Sequence, residues 1–362
     1  MDKIRYMKKS ILGSICLVLA WPLLSNGQQA GGRPGLFGQD ELLPIQISGN
    51  LHPLLDDRGD NPAYHSMTLS YRGADSLEIS IPIDIKTRGH FRKSKDNCAY
   101  PPLLLNFSKA KDKPSGIFSE QSKLKLVMPC GDDSYVVREW LVYKLYNLIT
   151  PESFRARLVK VYLNDTQKKK TATPFFGILL EEEGQMAIRN QRVLVSRKML
   201  RPESTEMNSF LNMAVFQYMI ANTDWSIQYQ QNIKFLAPDS LTIPHTVPYD
   251  FDHAGIVSTP YALPAEELQM TSVRERRYRG FCMGDMSRFG RTIALFNQLK
   301  DQFYAVYTHC PLLDAKYVRS TTAFLDAFYK TINDPKDCKK EFTYPCDPNG
   351  TGNVVIKGLS KD

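Results

Sequence analysis

The residues best suited to chemistry are two clusters of carboxylate and amide side chains between Ala221 and Gly255. Asp224 follows an apolar-periodic segment, so we expect it where a helix ends and a loop begins. Asn232 opens a strand-like run, and a second predicted strand would deliver Asp250 beside it. Carboxylate and amide oxygens at adjacent strand ends suit Mg²⁺, which takes a few such ligands plus water and substrate phosphates. Asp224 would remain free to orient a hydroxyl nucleophile.

The order of these residues is a second signal. With Asp252 completing an Asp-Phe-Asp motif, it follows the order of base, second metal ligand and principal metal ligand in protein-kinase-type phosphoryl-transfer sites. Asp224 is the predicted catalytic residue, and Asn232, Asp250 and Asp252 are the predicted metal ligands. Asn232 follows Asp224 at a longer interval than the roughly five residues typical of kinases, which indicates an atypical branch. The alternative is that Asp224 caps a helix and the other two acids lie in a polar turn.

An upstream strand and helix could supply the nucleotide-binding residues. A predicted strand at 123–128 places Lys123 and Lys125 on one face. The helix that follows, capped by residues 132–134, carries Glu139. In kinase-like sites a strand lysine neutralises α/β-phosphate charge and is positioned by a helix glutamate. The alternative is a surface lysine and a solvated glutamate.

Composition and the N-terminus limit the class of protein. The chain has 362 residues, 43% hydrophobic and 23% charged, which is ordinary globular material for one two-lobed domain or two small ones. A basic start, an apolar run from Ile11 to Leu24 and small polar residues predict a secretory signal peptide. We therefore expect export to the periplasm or beyond, with no transmembrane segment after signal removal. The formal charge of +8 falls to about +5 without the leader, which permits an anionic ligand but does not demand nucleic acid.

The cysteine count fits an exported chain. Six cysteines follow the leader, at positions 98, 130, 282, 310, 338 and 346. An even number in an exported chain favours disulfides, of which fifteen connectivities are possible. We favour pairing of neighbours along the chain: Cys98 with Cys130, Cys282 with Cys310, and Cys338 with Cys346. Zinc is the alternative, although no CxxC spacing supports it.

The predicted elements divide the chain into a strand-rich first half and a helical second half. Strands are predicted at 45–56, 66–71, 78–86, 101–107, 123–128, 157–163 and 174–180, and helices from 134 to 150 and at 204–220, 288–307 and 316–332. Residues 181–184 would connect the two halves, where an adenine could bond to the backbone. Four arginines at 274–279 could clamp phosphate or an acidic substrate, although such a loop is more often solvated or paired with surface acids.

Several short motifs, taken in order, resemble the CotH spore-coat kinase family, an atypical secreted branch of the protein-kinase-like fold. They are ArgGlyHis (88–90), LysLeuLysLeu with AspAspSerTyrValValArgGlu (123–139), ValLysValTyrLeuAsnAsp (159–165), PheGlyIleLeuLeuGlu (176–181), AsnThrAspTrp…Asn (222–232) and ProTyrAspPheAsp (248–252). The resemblance covers about residues 78–330. It implies an ATP- and Mg²⁺-dependent protein kinase in which Asp224 matches the catalytic Asp, Asn232 and Asp250 the metal ligands, and Lys123 or Lys125 the nucleotide lysine.

The resulting prediction is an α+β, two-lobed protein-kinase-like fold with a strand-rich N-lobe and a mainly helical C-lobe. Its segments are a signal peptide (1–27), a linker (28–44), the N-lobe (45–183), the C-lobe (184–333) and a C-terminal tail (334–362). The predicted function is phosphoryl transfer from a nucleotide to a protein hydroxyl. The alternative is a non-catalytic envelope or binding protein of the same fold, such as a sensor of an anionic ligand that binds the 274–279 arginines.

Overall fold

The strand-rich part of the chain forms a closed barrel. A computed structural model describes residues 35–73, 75–108, 116–168 and 172–349. The barrel strands are β1 (Leu43–Gly49), β2 (His65–Arg72), β3 (Glu78–Thr87), β4 (Leu103–Asn106), β5 (Lys123–Val127), β6 (Ala156–Asp165) and β7 (Phe175–Leu180). Their order around the barrel is β1-β2-β3-β4-β5-β7-β6. Neighbours run antiparallel, except that β1 and β6 pair in parallel and close the barrel.

Alternation along each strand fills the barrel interior. On β5, Leu124 and Leu126 point inward into a core shared with Ile45 and Ile83. Burying each such side chain is worth about 1.5–3 kcal/mol relative to leaving it exposed, so the alternating pattern fixes which face is internal. The opposite face of β5 therefore carries its lysines outside the barrel.

The other regular elements among the described residues are helices and one small sheet. The helices are α1 (Leu51–Asp56), α2 (Ser134–Ile149), α3 (Glu183–Arg189), α4 (Met207–Met219), α5 (Gly290–Gln298), α6 (Lys300–Thr308), α7 (Ala315–Asn333) and α8 (Pro335–Phe342). The sheet has the strands β8 (Val193–Val195), β9 (Ile233–Ala237) and β10 (His245–Pro248), in the order β10-β9-β8. The β9–β10 pair is the hairpin predicted between Asn232 and Asp250.

A second core joins the outer wall of the barrel to the helices. Ile178 and Leu180 on β7 face this core, whereas Leu179 between them faces the barrel interior. Helix α2 packs against the barrel through residues such as Val142, and α4 is buried along nearly its whole length. A helix with buried side chains around its circumference is surrounded by other elements, and α4 accordingly lies inside this second core.

The predicted two-lobed protein-kinase-like fold is wrong, although the α+β class holds. The N-terminal part is a closed, mixed seven-stranded barrel. Its closure depends on β1, where Ile45 lies opposite Val161 of β6. That contact joins segments far apart in the chain, and local periodicity gives no sign of it. The strand predicted at 45–56 also ends early, because α1 begins at Leu51.

The disulfide prediction is confirmed at one bridge and wrong at the other two. Cys98 is bonded to Cys130, as predicted. Cys282 is bonded to Cys346, and Cys310 and Cys338 are unpaired thiols in the described part of the chain. Cys338 lies on α8 with its side chain buried in the core, and its predicted partner Cys346 is bonded to Cys282 instead.

Two observations bear on location. The two disulfides are consistent with an exported protein. None of the helices among the described residues is long and apolar enough to cross a membrane. The predicted signal peptide lies outside the described residues.

Candidate functional site

One cavity gathers most of the residues that the sequence singled out. It has a volume of about 800 Å³ and lies between the outer wall of the barrel and the loops after α4 and β10. Its acidic and amide lining comes from Asp224, Asn232, Asp250 and Asp252. Its basic lining includes Arg88, Arg92, Lys125 and Lys198.

Asp224 lies in the loop that follows α4, as predicted. Its backbone N–H donates to Asn222 Oδ1 at 3.0 Å, which fixes the turn. The carboxylate accepts hydrogen bonds from two amides, Gln231 Nε2 and, at 2.9 Å, Asn232 Nδ2. Burial raises the pKa of Asp224, and the nearby Asp252 carboxylate adds to that effect. The result is an oriented carboxylate with a raised affinity for a proton.

The hairpin brings Asn232 and Asp250 to one end of the small sheet. Ile233 pairs with Pro248, and the N–H of Tyr249 donates to Asn232 O at 3.0 Å. The N–H of Asp250 in turn donates to the hydroxyl of Tyr143 on α2, also at 3.0 Å. Helix α2 therefore also positions Asp250.

Four of the nine non-glycine residues with left-handed backbone in the described ranges line the cavity. Met199, Gln230, Asn232 and Asp250 all line it and have φ values of 60°, 52°, 51° and 62°. Such conformations cost of order 1–3 kcal/mol for non-glycine residues, least for Asn and Asp, and persist where the surrounding structure imposes them. Strain of this kind is typical of functional sites.

Phe251 separates two acids that face the same side. Its ring is fully buried and packs 4.8 Å from Tyr143 and 5.7 Å from Phe216, measured between ring centroids. Asp252 accepts a hydrogen bond from Tyr261 Oη at 3.0 Å. Although burial opposes its ionisation, Arg92 and His253 lower the pKa of Asp252.

The cation beside Glu139 is an arginine that the sequence analysis did not single out. Arg92 Nη1 lies 3.6 Å from Glu139 Oε2. The predicted pairing of Glu139 with Lys123 or Lys125 is therefore wrong in this structure, since the described ion pairs of Glu139 include only Arg92. The dense run of basic residues at 88–93 was the available signal, but nothing local indicates where the Arg92 side chain points.

The two candidate lysines occupy different surroundings. Lys125 lines the cavity, whereas Lys123 is exposed farther along the same face of β5. Burial and the charge of Arg88 lower the pKa of Lys125 to about 8. Neither Lys125 nor Arg88 forms a side-chain ion pair within the described residues, so both cations are available to an anionic ligand.

The arginines at 274–279 have a structural role. Arg276 donates to the carbonyls of Met219 and Phe324, and Arg279 donates to those of Thr223 and Trp225, which flank Asp224. None of these arginines contributes to the described cavity lining. Arg279 thus holds the Asp224 loop, and the proposal that this segment clamps a ligand gains no support.

The residues present fit a magnesium ion at one end of the cavity. No three His, Cys, Asp or Glu side chains converge as a ready-made metal site in the described ranges. Mg²⁺, however, is usually held by one or two carboxylates with water and substrate phosphates. Asp250, Asp252 and the side-chain oxygen of Asn232 supply that donor set. The Asp250 side chain is 43% exposed, so its carboxylate is accessible from the cavity.

No protein-family model matches this sequence, and no curated protein matches it. The resemblance to the CotH family therefore rests on the motifs quoted above.

We expect Glu139 to make the protein less stable as pH rises from 6 to 8. Burial raises the pKa of Glu139 to about 8, from an ordinary value near 4.5, despite the attraction of Arg92. Between those values the folded protein holds a proton that the unfolded chain has lost, so the free energy of unfolding falls by up to about 1.4 kcal/mol per pH unit. The lowered pKa of Lys125 acts in the opposite direction only above about pH 8.

Urea unfolding at pH 6, 7 and 8 measures how steeply the free energy of unfolding changes with pH. Glu139→Gln should flatten this slope, while Glu267→Gln, a change at an exposed position, should leave it as in the wild type. Identical slopes in the wild type and Glu139→Gln would show that Glu139 is ionised across the range.

Proposed function

We propose that this protein is an exported, Mg²⁺-dependent phosphotransferase that moves a phosphoryl group from a nucleotide, ATP, to a hydroxyl of a protein. The observation that carries the proposal is the composition of one cavity. The lining includes Arg88 and Lys125, which have no ion-pair partner among the described residues, together with a cluster of carboxylates and an amide. Catalysis of phosphoryl transfer depends on positioning the reactants and on stabilising the charge of the transferred phosphoryl group. Cations, carboxylates and an amide are the side chains suited to both tasks. The motif resemblance to the CotH family supports the same conclusion.

Lys125 and Arg88 would bind the phosphates of the nucleotide. Both line the cavity, and neither has a side-chain ion-pair partner among the described residues. The lowered pKa of Lys125 reflects burial and proximity to Arg88, both of which a bound anion would offset. A cavity of about 800 Å³ lies within the size range of small-molecule sites, roughly 300–1,000 Å³.

Asp224 would orient the acceptor hydroxyl. Its carboxylate is held by Gln231 and Asn232 and opens onto the cavity. The raised pKa suits a group that accepts a proton from the hydroxyl during transfer. Asp250, Asp252 and Asn232 would hold Mg²⁺, which when bound neutralises phosphate charge.

A second candidate function is metal-independent binding of an anionic ligand. It is favoured by Arg92, which already contacts Asp250 and Asp252 and so neutralises part of the carboxylate cluster. A protein of this kind would use Arg88 and Lys125 to bind the anion and would transfer nothing.

Thermal melting of the chain without its leader separates the two functions. A ligand that binds only the native state stabilises it by about 2.7 kcal/mol at a hundred times its dissociation constant. For a phosphotransferase, ATP with Mg²⁺ should raise the melting temperature more than ATP with EDTA. Asp250→Asn should remove the magnesium-dependent part, and Lys125→Met the whole shift. Lys123→Met, on the same strand but exposed, is the matched control.

Equal shifts with Mg²⁺ and with EDTA would favour the binding protein. The absence of any shift at millimolar ATP would contradict the phosphotransferase.

A further inference from the structure

Arg92 makes an unusual set of contacts for one side chain. It belongs to a short 3₁₀ turn, Phe91–Lys93, in the connection between β3 and β4. Nη2 lies 3.1 Å from Asp250 Oδ1, Nε lies 3.3 Å from Asp252 Oδ2, and Nη1 lies 3.6 Å from Glu139 Oε2. A single guanidinium, 11% exposed, thus contacts three acidic side chains from two parts of the fold.

The electrostatics show how strongly the cluster depends on this cation. Burial opposes the charge of Arg92, but the surrounding acids, of which Asp252 contributes most, outweigh it and raise the pKa of Arg92 well above its ordinary value. Without the guanidinium, the carboxylates of Asp250 and Asp252 would face each other beside the buried Glu139 with no counter-charge, and like charges repel. Arg92 therefore keeps the carboxylates in place.

The same oxygens are those that would hold a divalent cation. Asp250 Oδ1 and Asp252 Oδ2 both face Arg92. A metal ion held by these two oxygens would need the position of the guanidinium. The positive charges of the metal ion and of Arg92 would repel each other. Two cations cannot share that position.

We propose that Arg92 is a positioning residue that occupies the place of a divalent cation between Asp250 and Asp252, and that a metal ion binds there only when the guanidinium withdraws. The inference rests on the proposed function, because it assumes that these acids bind a metal. Beyond that function, the affinity for the metal would depend on Arg92, a residue of the β3–β4 connection.

The backbone that carries Arg92 is held firmly, so withdrawal concerns the side chain. Arg58 donates to the carbonyls of Lys93, Cys98 and Ala99. The Cys98–Cys130 disulfide ties the same connection to the segment between β5 and α2. The turn is therefore fixed at several points, and the long side chain of Arg92 supplies the freedom to move.

Binding of Mn²⁺, followed by electron paramagnetic resonance in the chain without its leader, tests this directly. Arg92→Met retains an apolar stem of similar length and removes the competing charge. We expect it to bind Mn²⁺ about tenfold more tightly than the wild type, equivalent to about 1.4 kcal/mol. It should also melt at a lower temperature without metal and regain stability when Mn²⁺ is added. Asp250→Asn should weaken binding in either background.

Arg92→Lys keeps a charge but can reach fewer of the three acids, so an intermediate affinity is expected. If Arg92→Met does not fold, the Mn²⁺ affinity of Arg92→Lys compared with the wild type tests whether Arg92 competes with the metal. Arg58→Met is the control for loosening of the connection, and it should not tighten Mn²⁺ binding. A purely structural role for Arg92 would lower the melting temperature without raising metal affinity.

The outcomes separate this inference from the function on which it rests. If Mn²⁺ binds the wild type and the Arg92 variants equally well, or the variants more weakly, Arg92 does not compete and this inference is overturned alone. If no protein in the series binds Mn²⁺ at millimolar concentration, the inference and the proposed Mg²⁺-dependent transfer are both overturned.

Discussion

Replacing Asp224 with Asn is expected to lower the rate of phosphoryl transfer by about 10²–10⁴-fold, the range typical of a lost general base. The substitution preserves shape but keeps only one of the two side-chain hydrogen bonds, because Gln231 and Asn232 donate to different oxygens of Asp224. Arg279 still holds the loop through backbone carbonyls on either side of Asp224, so the loop should keep its conformation. What it removes is the charge that attracts the hydroxyl proton. The nucleotide should still bind, because Lys125 and Arg88 are unchanged.

Two measurements on the same preparation check this prediction. Transfer is followed with γ-labelled ATP and Mg²⁺, using casein and the protein itself as acceptors. Nucleotide binding is followed by the rise in melting temperature. Asp60→Asn, at an exposed acid away from the cavity, is the matched control. Full transfer by Asp224→Asn would exclude Asp224 as the base, and a wild type that binds ATP but transfers nothing would favour the binding function.

The second large effect concerns stability. Phe251→Ala is expected to lower the free energy of unfolding by about 3–5 kcal/mol, as is usual when a fully buried phenylalanine is truncated. The ring fills a space bounded by Tyr143 of α2 and Phe216 of α4. Its loss would leave a cavity where the barrel side of the core meets the helices.

The same change should weaken metal binding, because Phe251 fixes the relative position of Asp250 and Asp252. Urea unfolding gives the stability, and Mn²⁺ titration of the folded fraction gives the affinity. Leu241→Ala is the control, since the Leu241 side chain is 88% exposed and its truncation should change stability very little. A loss below about 1 kcal/mol for Phe251→Ala would show that the region collapses around the gap.

The sequence alone determined the local elements and where the acids lie on them. Local patterns predicted a strand at 78–86, which is β3, and a strand at 123–128, which is β5, with Lys123 and Lys125 on one face. The apolar period before Asp224 predicted α4, and the turn residues between Asn232 and Asp250 predicted a hairpin. These inferences worked because each depends on a repeat contained within one segment, and the period of a strand or helix is set by the local backbone.

Only the tertiary structure decided which segments meet. The parallel pairing of β1 with β6 closed the barrel and overturned the two-lobed kinase-like fold. The bond between Cys282 and Cys346 replaced the predicted neighbour pairing. Arg92, and neither of the candidate lysines, reached Glu139. Each is a contact between residues far apart in the chain, selected by the packing of whole elements rather than by any local repeat, and a single sequence carries no readable signal of that selection.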